Sequence, residues 1–406
     1  MRIALLSYRS RPHSGGQGVY IRHLSRQLAA LGHDVEVISG PPLPELDPGV
    51  ALTVLPSLDL YREPDPFRTP RLREFRSWID VLEWLLMCTG TFPEPLTFSL
   101  RARRHLRLRR GAFDVLHDNQ GLGYGLLLLG RGTPLVATVH HPITVDRDLE
   151  LAAARGWRRV TLRRWYSFIR MQARVARRIG PLTTVSQSSA DAIAAAFRVP
   201  RGRLRVIPVG VDASVFVPPA QPRVPGRIVT VTSADVALKG LVDLVEALAK
   251  VRTERAAELV VVGTARADGP ARRAVERHAL GDAVRFVSGL DDTALAALLG
   301  SAEVAVVPSR YEGFSLPAVE AMATATALVA TDAGALPEVT GPHGHAALHV
   351  PPGDPAALAA AVGRILDDAA LRARLGAAGR ARVLEHFTWR RTAERTAAWY
   401  REVARC

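Results

Sequence analysis

At 406 residues, 48% hydrophobic and 23% charged, the chain is too long for one core and has the balance of a soluble protein built from two domains. No stretch approaches the roughly 20 apolar residues of a membrane span. The apolar run after Met1-Arg2 is too short for a signal peptide, and Cys88 and Cys406 are the only cysteines, so secreted disulfide-rich and integral-membrane classes are excluded. A cytoplasmic protein is expected, with Cys406 as an exposed terminal thiol.

In chain order, Arg2–Ser7 reads as a buried strand and Ser14-Gly-Gly-Gln-Gly18 as a glycine-rich turn. Val19–Leu31 reads as a helix with Ile21, Leu24, Leu28 and Leu31 at helical spacing, stopped by Gly32. Asp34–Ser39 is the next strand. This is a βαβ unit with a phosphate-binding type of turn, although Gly-Gly-x-Gly is not the full dinucleotide fingerprint. Residues 57–110, rich in proline and aromatics, break the alternation and read as an insertion of helices and loops able to shape an acceptor site. Strands are predicted at Val115–His117, Leu135–His140, Thr183–Ser186 and Arg205–Pro208. Asp118, at a strand end beside Asn119, is a candidate to reach an acceptor.

A proline-rich linker, from Pro208-Val-Gly-Val-Asp212 to Pro225, follows. Beyond it the alternation restarts. Strands are predicted at 227–232, 258–263, 284–286, 304–308, 327–330 and 347–350, with helices at 241–251, 271–278 and 295–299 and another starting at Pro317. Such alternation means a doubly wound parallel sheet, so two of them leave a cleft between their carboxyl ends. The expected domains are 1–215, 216–387, and a C-terminal helix in 388–406, with Trp389, Trp399 and Tyr400, packing back on the first.

The net charge is +14, and the only lysines are Lys239 and Lys250. Arginines cluster in Arg101–Arg110 and Arg155–Arg178, both expected to be helical. The second run holds Trp157, Trp165, Tyr166, Phe168 and Ile169, and reads either as a solvated face with core aromatics or as an amphipathic segment lying on an anionic membrane. No nucleic-acid-binding motif accompanies the charge, so nucleic acid is not an expected partner.

The most informative segment is Glu312-Gly-Phe-Ser-Leu-Pro-Ala-Val-Glu320. It stands between an apolar strand and a helix that Ser315 can cap and whose first turn tolerates Pro317. The N–H groups of Phe314, Ser315 and Leu316 then converge with the positive end of the helix dipole, an anion site. Flanking carboxylates suit an anion joined to hydroxyl-bearing groups, because a carboxylate accepts two O–H bonds from a vicinal diol. A nucleotide sugar carries its phosphates between two such polyols. Lys239, at a helix start where the dipole disfavours a cation, gains a reason to be there from a bound anion.

With Gly334-Ala-Leu-Pro-Glu338 downstream, these residues resemble a retaining glycosyltransferase of family 4, which implies the GT-B fold: α/β, with two Rossmann-like doubly wound parallel-sheet domains facing an interdomain cleft. The resemblance is close over about 226–385, recognisable over the first 40 residues and around His140, and nearly absent over 57–110. It implies that Glu312 contacts the donor sugar, that Glu320 holds the ribose hydroxyls, and that Gly313, Phe314, Ser315 and Leu316 reach diphosphate and sugar. It further implies that Lys239 grips the diphosphate, that Gly16, with Gly15 beside it, approaches the donor phosphate, and that His140 lies beside the sugar ring. The family's arginine shortly before that lysine is missing. Thr232-Ser-Ala-Asp235 stands in its place, leaving Arg310, Arg266 or Ser233 with nearby amides as substitutes. The Asn-Gly usual after the linker strand is Val209-Gly210.

The implied activity is transfer of a sugar, with retention, from a nucleotide-diphosphate donor to the hydroxyl of an unspecified lipid, glycan or small molecule. Glu312, Lys239 and His140 are the expected catalytic residues. A second carboxylate to act as nucleophile is not evident, so front-face substitution is expected. No metal or cofactor is expected beyond the nucleotide sugar as co-substrate; His140-His141 and His343-Gly-His345 are read as loop histidines. A sugar-nucleotide epimerase and a non-catalytic nucleotide-sugar-binding protein are the alternatives.

Overall fold

A computed structural model describes residues 1–10, 16–129 and 132–405. The chain forms two compact units. One comprises Met1–Val185, Ser189–Ile207 and Thr392–Cys406; the other comprises Ser186–Ser188 and Pro208–Arg391.

In the first unit, short valine- and leucine-rich runs form seven strands: β1 (Arg2–Ser7), β2 (Asp34–Ser39), β3 (Ala51–Val54), β4 (Val115–Asn119), β5 (Leu135–Thr138), β6 (Leu182–Thr184) and β7 (Leu204–Val206). They are parallel and ordered β3-β2-β1-β4-β5-β6-β7. Helices α1 (Gly16–Ala30), α2 (Trp78–Cys88), α3 (Glu94–Arg107), α4 (Thr144–Ala153), α5 (Gly156–Trp165), α6 (Phe168–Ala176) and α7 (Gln187–Phe197) connect them. All five residues of β4 are buried, as befits a parallel strand covered on both faces. Leu6, Leu116, Leu122, Leu126, Ala137 and Ile193 lie in the core beside it.

The second unit repeats the plan with β8 (Val224–Val231), β9 (Glu258–Val262), β10 (Val284–Val287), β11 (Ala302–Val307), β12 (Ala327–Thr331) and β13 (Ala347–Val350), ordered β10-β9-β8-β11-β12-β13. Its helices are α8 (Leu241–Val251), α9 (Pro270–Arg277), α10 (Asp292–Ser301), α11 (Leu316–Ala323), α12 (Leu336–Thr340), α13 (Pro355–Asp367) and α14 (Ala369–His386). The chain ends in α15 (Trp389–Ala404), whose residues from Thr392 onward belong to the first unit. There the Tyr400 hydroxyl hydrogen-bonds His117 Nδ1 on β4.

Strand order reverses between β1 and β4 and again between β8 and β11. In open α/β sheets, ligands bind outside the carboxyl ends of the strands at such switch points. Local choices fix the loops there. Gly240 has φ +64° and sits so close to Pro308 that a Cβ would overlap the Pro308 carbonyl oxygen. The loop after β8 is thereby pressed against the end of β11, and the Arg310 N–H donates to the Leu238 carbonyl at 2.7 Å to tie the two.

The elements differ from the predicted ones in instructive places. Edge strand β3, absent from the predicted strands, is only four residues long and carries mostly exposed side chains although its sequence is largely apolar. The Arg155–Arg178 run is two helices, α5 and α6, parted at Tyr166-Ser167. Trp157 is exposed whereas Tyr166, Phe168 and Ile169 are core. Between Pro208 and β8 the chain is mostly irregular, with Val211 bridged to Thr388. Gly210 lets the backbone pass against Thr388, where a Cβ would collide.

Candidate active site

Glu312 lies in the loop leaving β11, at the second unit's switch point. Its buried Oε1 accepts from Ser309 Oγ at 2.7 Å and from Lys239 Nζ at 2.8 Å. Its backbone is fixed as well. The Glu312 carbonyl accepts from the Ala335 N–H at 2.9 Å, and Gly334, at φ +58°, leaves no room for a Cβ against that carbonyl. This gives the Gly334-Ala-Leu-Pro-Glu338 segment a physical purpose as the floor under Glu312. Its Glu338 carboxylate accepts from the Gln187 and Ser188 N–H groups at 2.7 Å each.

The helix after the loop starts as its sequence predicts. Ser315, at φ +85°, is the N-cap residue of α11, its hydroxyl oxygen accepting from the Ala318 N–H at 3.4 Å, and Pro317 lies in the first turn. The N–H groups of Phe314, Ser315 and Leu316 have no acceptor among the described residues, so they remain available together with the positive end of the helix. Phe314 is buried edge-on against Phe387, ring centroids 5.8 Å apart, and the Gly313 carbonyl accepts from Ser186 Oγ at 2.6 Å.

Glu320 projects from the second turn of α11. Burial, with the Asp292 carboxylate adding to it, pushes this carboxyl up to about 7, and no hydrogen bond or ion pair from a described residue offsets the effect. Leaving a carboxylate in such a place is costly unless something donates to it.

Lys239 immediately precedes Gly240, the N-cap of α8, and Glu312 is its partner. The substitutes for a second cation are both already matched. Arg310 is held by Asp243 at 2.9 and 3.1 Å, a pairing that raises the arginine's pKa. Arg266 lies 3.5 Å from Asp235, which also accepts the Arg266 N–H. Arg310 nevertheless sits one residue from Tyr311-Glu312 and is half-exposed, whereas Arg266 lies in the loop after β9. Ser233 is exposed just beyond the end of β8.

In the first unit, His140 follows β5. Its Nε2 pairs with Asn119 Oδ1 at 2.8 Å, its N–H donates to Gln120 Oε1 at 2.9 Å, and its ring meets Tyr20 edge-on at 4.7 Å. Burial, with His141 contributing, lowers its pKa to about 3, so the imidazole is neutral and, with Asn119 as acceptor, carries its proton on Nε2. Behind it runs a buried chain from Tyr20 OH to Thr138 Oγ1 (3.2 Å) and on to His117 Nε2 (2.6 Å) and Tyr400. Asp118 is turned into its own loop. It is buried, accepts from the Leu122 N–H at 2.8 Å, and is pushed up by burial to about 7. That engagement takes up the carboxylate which the sequence left open for an acceptor. Gly16 begins α1, while Gly15 and Cys406 lie outside the described residues.

Residues that the sequence did not single out are those that aim the others: Ser309 for Glu312, Asn119 and Gln120 for His140, and Ser186 for the Gly313 carbonyl. Their only sequence signal is position, at a strand end or one or two residues beyond it. Among the described residues, no three His, Cys, Asp or Glu side chains gather as a metal site would need; His343 Nδ1 accepts from the His349 N–H.

Two such doubly wound sheets define the GT-B class of glycosyltransferase. Residues 14–215 match the family described as Glycosyltransferase Family 4, and residues 225–368 match Glycosyl transferases group 1. The chain is 57% identical to the MMP alpha-(1->4)-mannosyltransferase of Mycolicibacterium hassiacum, with 98% of each chain covered. It is 32% identical to the glycogen synthase of Mycobacterium tuberculosis H37Rv, over 98% of this chain and 94% of that one. Among solved structures, sucrose-phosphate synthase from Thermosynechococcus elongatus superposes with a TM-score of 0.72 at 26% identity, covering 99% of both. An Anabaena protein in complex with UDP-glucose shares the fold, with a TM-score of 0.70 at 16% identity and coverage of 99% and 100%. The chain belongs to glycosyltransferase family 4.

Proposed function

We propose that this glycosyltransferase moves a mannosyl unit from a nucleotide-diphosphate mannose to a sugar hydroxyl, forming an alpha-(1->4) bond. The observation that carries the donor assignment is the set of groups around the loop after β11: free N–H groups at the start of α11, Lys239 paired with Glu312 in the same loop, and the buried carboxyl of Glu320 one turn further on, with no partner among the described residues. The mannosyl and linkage assignments come from the 57% identical relative over nearly its whole length.

Cleaving the anomeric C–O bond builds negative charge on the leaving diphosphate and positive charge on the ring. Lys239 and the Phe314–Leu316 amides stabilise the former, a preorganised arrangement whose effect is large where water is excluded. Glu312 holds Lys239 at 2.8 Å. When the diphosphate takes the ammonium, one Glu312 oxygen is released to accept sugar hydroxyls while Ser309 keeps its orientation. Glu320 accepts the two ribose O–H groups, and this hydrogen bonding compensates its burial. Gly16 admits the donor phosphate to the backbone, and His140, neutral and held through its Nε2–H by Asn119, keeps Nδ1 as an acceptor for a hydroxyl of the transferred sugar. Arg310 serves as the second cation beside the phosphates, with Ser233 as a neutral donor at the end of β8.

A donor with an alpha-linked diphosphate that yields an alpha bond reacts with retention. The leaving phosphate oxygen takes the acceptor proton as the new C–O bond forms on the same face, so no metal or protein nucleophile is required. The arginines of the Arg155–Arg178 segment support a second property, peripheral association with an anionic membrane surface. Turnover of nucleotide-diphosphate mannose by Lys239→Ala and Glu320→Ala variants tests the donor site. Both should lose transfer while keeping their fold, and near-normal turnover in both would refute it.

A further inference from the structure

Helix α2 is built inside out. Its two charged residues, Asp80 and Glu83, are buried, both meeting Arg101 of α3, with Asp80 Oδ1 at 2.6 Å from Arg101 Nη2. Its outward stripe is wholly apolar at helical spacing: Trp78 is 63% exposed, Val81 43% and Leu85 50%, and exposed Cys88 continues the row. Helix α5 is tied to the end of α2 by Arg164 Nε donating to the Thr89 carbonyl at 2.7 Å. It exposes Trp157 (77%) and Val160 (40%), along with Arg158, Arg159 and Arg163. From residue 151 to 190 the sequence has no Asp or Glu, the nearest acidic residues being Asp146, Asp148 and Glu150 on α4.

We infer that the outward stripe of α2, with Trp157 and the arginines of α5, seats the protein on an anionic lipid surface, the α2 side chains entering the boundary between headgroups and acyl chains. The inference rests on the peripheral-association reading above and names the element that inserts. A surface helix normally turns charge to water and apolar residues inward. Here both charges turn inward beside buried Ile79 and leave an uncharged stripe near exposed arginines, the pairing that interfacial helices use on anionic bilayers. Charge decides between occupants. A second copy of this chain would bring like arginines against one another, and a nucleic acid would gain nothing from a stripe of valine and leucine.

The test is co-sedimentation of the full chain with vesicles of phosphatidylcholine alone or mixed with phosphatidylglycerol, at low and high salt. Binding is expected only to the mixed vesicles, weakening as salt rises. Trp78→Ser/Leu85→Ser should weaken it at least tenfold. Arg158→Gln/Arg159→Gln/Arg163→Gln should weaken it roughly fivefold per arginine, about 1 kcal/mol each. Both variants should transfer sugar to a soluble acceptor at the parental rate, which confirms folding and separates this property from catalysis. As an independent readout, a polarity-sensitive dye on Cys88, with Cys406→Ser, should shift to the blue on mixed vesicles. If Trp78→Ser/Leu85→Ser binds like the parent while the arginine variant does not, peripheral association stands and the inserted α2 face falls. If the parent ignores vesicles, both fall. A concentration-dependent dimer, or an RNA oligonucleotide complex, that the α2 variant abolishes would reassign the face and overturn the inference.

Discussion

Glu320→Gln is the most revealing single change, because it should improve the free protein while damaging the complex. Burial, above all, moves the pKa of this carboxyl from 4.5 to about 7, and every tenfold change in proton affinity corresponds to about 1.4 kcal/mol. Keeping Glu320 ionised in the empty protein therefore costs about 3 kcal/mol. The folded-state value lies above the unfolded one, so this penalty is absent below about pH 4.5 and complete above about pH 7. An amide of the same shape removes it. For a unit of this size, 3 kcal/mol corresponds to roughly 6–12 °C in the unfolding midpoint. Without donor, Glu320→Gln should thus melt higher than the parent at pH 8, the gap closing toward pH 4.5. Calorimetric donor titration should show the opposite sign. Hydrogen bonds to a charged group contribute about 1.5–3 kcal/mol each, so losing the charge should weaken donor binding at least tenfold at pH 8. The parent's donor affinity should rise between pH 6 and 8 and that of the variant should not. A variant that melts at or below the parent at pH 8, or binds donor equally well, would refute the reasoning.

Lys239→Ala should lower the transfer rate about 10²–10³-fold, as loss of one preorganised donor at a leaving oxygen does, with intact circular dichroism; Lys239→Arg should not restore it, since a planar fork does not replace a compact ammonium. Gly240→Ala should destabilise the protein by about 2–5 kcal/mol, the sum of a left-handed alanine and overlap with the Pro308 carbonyl; urea denaturation measures it. Ser309→Ala should reduce transfer less than Glu312→Gln while leaving donor affinity nearly unchanged, because it loosens only the aim of the Glu312 carboxylate; steady-state kinetics separate the two.

How much was legible follows from which residues carry local rules. The Glu312–Glu320 loop announced itself because cap, proline and glycine positions each have a local reason, and the structure shows the strand, N-cap and first turn where the sequence places them. Lys239 was legible for the opposite reason, as a cation where a helix start disfavours one. Its partner was not, since 73 residues separate Lys239 from Glu312 and only the close approach at Gly240 brings them together. The turning of Asp118 into its own loop depends on Gln120 and Leu122 adopting positive φ, which nothing in their side chains foretells. Helix α2 was the hardest to read. Its charges are satisfied by Arg101 from the next helix, and with every other residue apolar its sequence does not tell the inward face from the outward one.

The most direct measurement of the central claim is the configuration of the bond that is made. Nucleotide-diphosphate mannose labelled with ¹³C at C1 is incubated with the protein and a 4-hydroxyl sugar acceptor, and the one-bond carbon–proton coupling of the new anomeric centre is read by NMR. The expected result is an alpha-linked product released together with the nucleoside diphosphate. A beta linkage, or an epimerised donor with no new glycosidic bond, would contradict it.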